Sequence, residues 1–225
     1  MSGLTAWSGA PVPGSLISME GNMSTMDDSR LTALHRGEVE TRNLAECLAL
    51  DQSALLKTVL PDIGMAQTAD SVIAVADRSR REGISRQMAQ IGTALREALR
   101  NESHREPMMQ KLALHPSDTV RSWAVFAVAR APDAMDLKDR LAAVRPFAAD
   151  THFGVREWAW IAARPYLAAD IAYAICCLTC WTADPNANIW RFAVESIRPR
   201  GVWCEHIKEL KERGAQSLDL EGDEV

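Results

Sequence analysis

The sequence predicts an all-α chain built as a right-handed stack of helical pairs, an α-solenoid, and three observations predict it. First, one block recurs: Val120-Arg121-Ser122-Trp123-Ala124, Val155-Arg156-Glu157-Trp158-Ala159 and Ile189-Trp190-Arg191-Phe192-Ala193, at steps of 35 and 34 residues. A period of that size is the mark of stacked helical pairs. Second, each block follows helix-stop and cap chemistry: Pro116, Asp118 and Thr119 before the first, Asp150 and Gly154 before the second, Asp184-Pro185-Asn186-Ala187-Asn188 before the third. Third, no segment alternates apolar and polar residues with the β-branched enrichment of a strand.

Taken in order, residues 1–28 are rich in Gly, Ser, Pro and Met without an apolar period and are expected to be a disordered leader. Leu44, Cys47, Leu48, Leu55 and Leu56 recur at roughly helical spacing, which predicts one helix over 43–57 ended by Pro61 and Gly64. Ile84, Met88, Ile91, Leu95 and Leu99 predict another. The array begins over 106–114, with Pro107 suited to a helix N-terminus. Segments 136–148 and 168–181 read as first helices of pairs, and the three blocks as second helices. Arg164-Pro165 and Arg198-Pro199 fall at the same offsets and are expected to stop the second and third blocks. A last helix is expected over 205–213, then Gly214 and an acidic tail over 214–225. The folded domain therefore spans 29–213.

Composition sets the class. With 47% hydrophobic and 24% charged residues the chain is ordinary for a soluble protein. It has neither an apolar run long enough to cross a membrane nor a secretory signal, so the expectation is a cytoplasmic monomer without membrane contact. Cys176, Cys177 and Cys180 sit within one helical turn, with no second CxxC pair and no HxxxH. That spacing argues against a metal, and free, mostly buried thiols without any cofactor are expected. The net charge of −5 is concentrated in the tail, where Asp219, Glu221, Asp223 and Glu224 hold four of the 30 acids. The rest is nearly neutral and has room for a basic face.

Helical geometry then divides the block. Offsets 0, 3, 4 and 7 share a face: Val120, Trp123, Ala124 and Ala127, then Val155, Trp158, Ala159 and Ala162, then Ile189, Phe192, Ala193 and Ser196. This face is expected to be core. Offsets 1, 5 and 9 form a second stripe of Arg121, Val125 and Ala129, then Arg156, Trp160 and Arg164, then Trp190, Val194 and Arg198. Guanidinium forks suit phosphate and tryptophans offer flat faces, so the stripe reads as a binding surface for a nucleic-acid backbone. The competing reading is an ion-pair ladder between repeats, because Glu157 and Arg191 share one offset in successive blocks.

The run from Trp181 through Asp184-Pro185-Asn186-Ala187-Asn188-Ile189-Trp190-Arg191-Phe192-Ala193-Val194-Glu195-Ser196-Ile197-Arg198-Pro199-Arg200-Gly201-Val202-Trp203 resembles the signature stretch of the HEAT-like DNA alkylation repair proteins, the AlkC and AlkD superfamily of DNA glycosylases. Residues 154–160 and 37–46 look similar to the same group. The resemblance implies a HEAT-like solenoid that holds duplex DNA with alkylated bases in a concave cleft and hydrolyses the N-glycosidic bond of N3- or N7-alkylated purines. It implies Glu157 and Asp184 as candidate carboxylates and Trp160 and Trp190 as aromatic contacts. Arg121, Arg156, Arg164, Arg191, Arg198 and Arg200 would contact phosphates. The alternative is a non-catalytic HEAT-like module that binds DNA or a protein through the same surface.

Overall fold

The computed structural model describes residues 27–100, 102–130, 135–199 and 207. Every regular element among them is helical. The elements are α1 (Asp28–His35), α2 (Leu44–Ala49), α3 (Gln52–Ile63), α4 (Ala69–Ser79), α5 (Ile84–Leu99), α6 (Arg105–Ala113), α7 (Asp118–Ala129), α8 (Leu137–Ala148), α9 (Phe153–Ala169), α10 (Ile171–Thr179) and α11 (Ala187–Ser196), with a 3-10 turn at Cys180–Ala183.

Short polar side chains set most of the helix starts. Asp27, Asn43, Asp51, Asp136, His152, Asp170 and Asn186 each accept a backbone N–H of the first turn of the helix that follows. Such a bond satisfies one of the orphan donors at a helix N-terminus and is worth about 1 kcal/mol. At the start of α2, Asn43 accepts the Glu46 N–H while Glu46 Oε2 reaches back to accept the Arg42 N–H at 2.7 Å.

The segment 43–57, expected as one helix, is two. Leu50 is extended and buried, and Asp51 turns its carboxylate onto the Ser53 and Ala54 amides to start α3. An apolar spacing that spans both pieces conceals such a local cap. Pro61 does not end α3 but lies in its last turn, and Gly64 closes it at φ +98°, a left-handed conformation that favours glycine. Pro165 likewise lies inside α9, which runs on to Ala169, so residues 168 and 169 belong to α9 and α10 starts at Ile171. Proline removes one helical hydrogen bond, and buried Arg164 and Leu167 on either side hold the helix together until Asp170 caps the next one. Helix α4 had no sequence expectation. The Arg198-Pro199 stop lies just beyond the end of α11, and the helix expected over 205–213 and the acidic tail lie outside the described residues, apart from Ile207.

Second helices form a row in which α5 packs on α7, α7 on α9 and α9 on α11. Helix α8 lies against α7 and α9, and α10 lies against α8 and α9. The arrangement is compatible with a helical solenoid, and the core runs along the row rather than around one centre. The face at offsets 0, 3, 4 and 7 is buried in all three blocks, with Trp158 half-buried. Trp158 meets Phe126 of the preceding block at a ring distance of 5.9 Å. Trp123 donates its Nε1–H to Gln52 Oε1 at 2.8 Å, and Trp181 packs on Phe192. The closest approach is at Gly92, where an added Cβ would stand 2.3 Å from the Phe126 Cβ.

Candidate functional site

The arginine at offset 1 has the same structural role in the first two blocks. Arg121 Nη1 donates to the carbonyls of His115 and Pro116, and Arg156 Nη1 to those of Asp150 and Thr151. In each case these are the fifth and fourth residues before the block. The guanidinium thus closes the turn that leads into its own helix. Arg121 also reaches the next pair, with Nε 2.8 Å from Asp150 Oδ2, and the loop before α2 through Glu40. Burial works against its charge, but the hydrogen bonds of Asp150 and Glu40 outweigh burial and raise its pKa above the ordinary arginine value.

The stripe expected to face a ligand is therefore continuous with the interior in its first copy and largely so in its second. Arg121, Val125 and Ala129 are buried, as are Trp160 and Arg164, because the following second helix packs over them. Arg164 passes under α11 and donates to the carbonyls of Ser196, at 3.0 Å, and Arg198. Only the third copy is open: Trp190 is 49% exposed, Val194 is 43% exposed, and Arg198 is exposed with its guanidinium on Glu195. Arg200 lies outside the described residues.

One group of candidates comes together across α9 and α11. Glu157 Oε1 is 3.1 Å from Arg191 Nη2, the equivalent position one repeat later, and Glu157 Oε2 accepts the Trp160 Nε1–H at 3.0 Å. The ladder reading of the sequence holds at this rung. Trp160, 8% exposed, cannot present its face to a base; it orients the carboxylate instead. Asp184 is not part of this group. It pairs with Arg145 and accepts the Asn186 N–H at 2.8 Å; that backbone bond, with Arg145, holds its pKa below the ordinary aspartate value. This is the geometry of a turn-forming aspartate.

The sequence reading missed a buried polar junction between the loop before α2 and the N-termini of α7 and α9. Asp118 accepts both the Thr41 N–H, at 2.8 Å, and the Thr41 hydroxyl, at 2.7 Å. His152 Nδ1 accepts the Gly154 N–H, which leaves Nε2 as the donor to the Thr41 carbonyl at 2.7 Å. The signal was present as cap residues ahead of two blocks, but their partner, Thr41, lies 77 residues before Asp118 and 111 before His152. Arg145, the partner of Asp184, was also missed; it lies outside the repeated block.

Cys47, Cys176, Cys177 and Cys180 are free thiols, and only Cys177 is buried, whereas mostly buried thiols were expected. Cys176 on α10 and Cys180 at the start of the 3-10 turn are exposed. Cys204 lies outside the described residues. Among the described residues no three His, Cys, Asp or Glu side chains converge as metal ligands, and no helix is long and apolar enough to cross a membrane.

No protein-family model, no curated protein and no solved structure matches this chain.

Proposed function

We propose that the chain is a right-handed HEAT-like solenoid that binds duplex DNA and hydrolyses the N-glycosidic bond of N3- or N7-alkylated purines, with Glu157 as the working carboxylate. The observation that carries this reading is the Glu157 side chain, partly open to solvent and oriented by the Trp160 Nε1–H and the Arg191 guanidinium, in the part of the chain where the resemblance is strongest. Alkylation at N3 or N7 makes the purine a cationic leaving group. The protein then has only to stabilise positive charge developing on the sugar and to position water, both of which a fixed carboxylate does.

The same rung supports DNA contact. An ion pair as exposed as Glu157–Arg191 is worth at most about 1 kcal/mol, so a phosphate can draw Arg191 away while the Trp160 Nε1–H still holds Glu157. Trp190 supplies an open aromatic face one residue away. Asp184, engaged with Arg145 and its own turn, is set aside as the carboxylate, and Trp160 becomes a positioning residue.

The test is release of 7-methylguanine or 3-methyladenine from methylated duplex DNA. Glu157→Gln is expected to lower single-turnover release by about a hundredfold or more, with Asp184→Asn close to the wild type. No release by folded protein in excess over substrate would end the catalytic reading. A second reading, the non-catalytic module, is favoured by one observation: Arg121, Arg156 and Arg164 already serve backbone carbonyls and carboxylates, leaving few guanidinium groups for phosphates. It predicts salt-sensitive DNA affinity reduced by Arg191→Ala without base release. Absence of DNA binding at low salt would point to a protein partner instead.

A further inference from the structure

A cavity of about 280 Å³ lies between the α2–α3 turn, the C-terminal end of α4 and the first turn of α5. Leu48, Leu50 and Ile84 give it an apolar lining, and Gln52 and Gln87 stand beside them. Asp51 and Arg80 also border it, paired at 2.9 Å, so their charges offset each other. None of these residues belongs to α9 or α11, and the cavity is separate from the Glu157–Arg191 rung.

The two glutamines distinguish this cavity, because each amide is oriented by a partner that acts in one direction only. Gln52 Oε1 accepts the Trp123 Nε1–H at 2.8 Å, and an indole N–H can only donate. Its amide nitrogen is left over. Gln87 Nε2 donates to the Ala76 carbonyl at 2.9 Å, and a carbonyl can only accept. Its amide oxygen is left over. Gln52 is 3% exposed and Gln87 7%, yet neither leftover atom has a partner among the described residues. Buried amides are ordinarily satisfied at both ends. Only Ser117 Oγ, among the described residues, is both sealed from solvent and unpartnered. Both leftover glutamine atoms therefore reach open space, and the space that both residues line is this cavity.

We infer that the cavity binds a neutral, planar lactam of the pyrimidinone or oxopurine kind, whose ring carbonyl accepts from Gln52 and whose adjacent ring N–H donates to Gln87. The self-compensated Asp51–Arg80 pair leaves no net charge to match, which favours a neutral ligand. The volume is at the small end for ligand cavities and limits the ligand to one or two rings, whose faces Leu48, Leu50 and Ile84 cover. The proposal is independent of any activity toward DNA.

Amide-proton NMR of the isotope-labelled full chain tests it, with pyridin-2-one and hypoxanthine as probes. Either probe is expected to shift the side-chain amide signals of Gln52 and Gln87 and the indole N–H of Trp123. N-methylpyridin-2-one keeps the carbonyl and lacks the donor, and is expected to bind at least about tenfold more weakly. Gln52→Glu keeps an acceptor for Trp123 and removes the donor, while Gln87→Lys keeps a donor for Ala76 and removes the acceptor. Each is expected to weaken binding by at least about tenfold. Leu48→Trp, at a residue already 54% exposed, adds bulk at the cavity wall and is expected to abolish binding. Thermal unfolding reports whether each variant is folded, and Leu48→Trp decides if the glutamine variants are not. No shift of these signals with either probe up to about 10 mM, past the millimolar range of weak binding, overturns the proposal and leaves the two amides to water. Equal binding of the N-methyl compound overturns it, as does undiminished binding in any folded variant.

Discussion

Replacing Arg121 by methionine separates a structural arginine from a DNA-binding one. The guanidinium donates to four groups: Asp150 through two nitrogens at 2.8 and 3.1 Å, Glu40, and the carbonyls of His115 and Pro116 at 2.8 and 3.0 Å. Methionine keeps much of the buried stem and removes all of these bonds. The Glu40 arm matters least, since that side chain is 44% exposed and water replaces its partner. Asp150 is mostly covered, retains only the His152 N–H at 2.7 Å, and becomes a poorly compensated charge. Removing one partner of such a pair costs about 3–5 kcal/mol. For a domain of this size that lowers Tm by roughly 6–20 °C. Thermal and urea unfolding of wild type, Arg121→Met and an Arg198→Met control measure it, with the control, an exposed side chain paired three residues away, expected within about 0.5 kcal/mol. An Arg121→Met protein that melts within two or three degrees (about 1 kcal/mol) of the wild type yet loses DNA affinity would refute the reasoning and return Arg121 to the binding surface.

Two further outcomes follow from the packing and the charges. Gly92→Ala places a methyl 2.3 Å from the Phe126 Cβ and 3.0 Å from the Ala127 nitrogen, so α5 and α7 must separate; urea unfolding is expected to show a loss of about 1–3 kcal/mol or more, and an unchanged midpoint would contradict the close crossing. Glu46 has its pKa lowered first by the hydrogen bond from Arg30, with burial opposing and the Arg42 N–H assisting. A depressed carboxylate stabilises the fold above its ordinary value of 4.5 and loses that contribution as pH falls through the lower folded value. The stability gap between wild type and Glu46→Gln is therefore expected to shrink as pH is lowered from 6 to 3, and a gap constant with pH would exclude the linkage.

The helical class, the three second helices and the inward face at offsets 0, 3, 4 and 7 were legible in the sequence, because helical period and burial are both expressed within a dozen consecutive residues. A cap residue such as Asn186 was legible for the same reason: its partner lies two residues away. Pro165 misled because a proline's local penalty is the same whether or not neighbouring helices hold the turn in place. The stripe at offsets 1, 5 and 9 misled more deeply. An arginine at a repeated position looks alike whether it binds phosphate or closes a turn, and what distinguishes the two is the identity of the acceptors within reach. For Arg121 those acceptors include Asp150, 29 residues on, and Glu40, 81 residues back. The sequence by itself determined which side chains repeat and which of them pack inward. Only the tertiary structure decided that Arg121 reaches Asp150 and Glu40 and that Glu157 meets Arg191, because those pairings depend on distances between elements that no local pattern encodes.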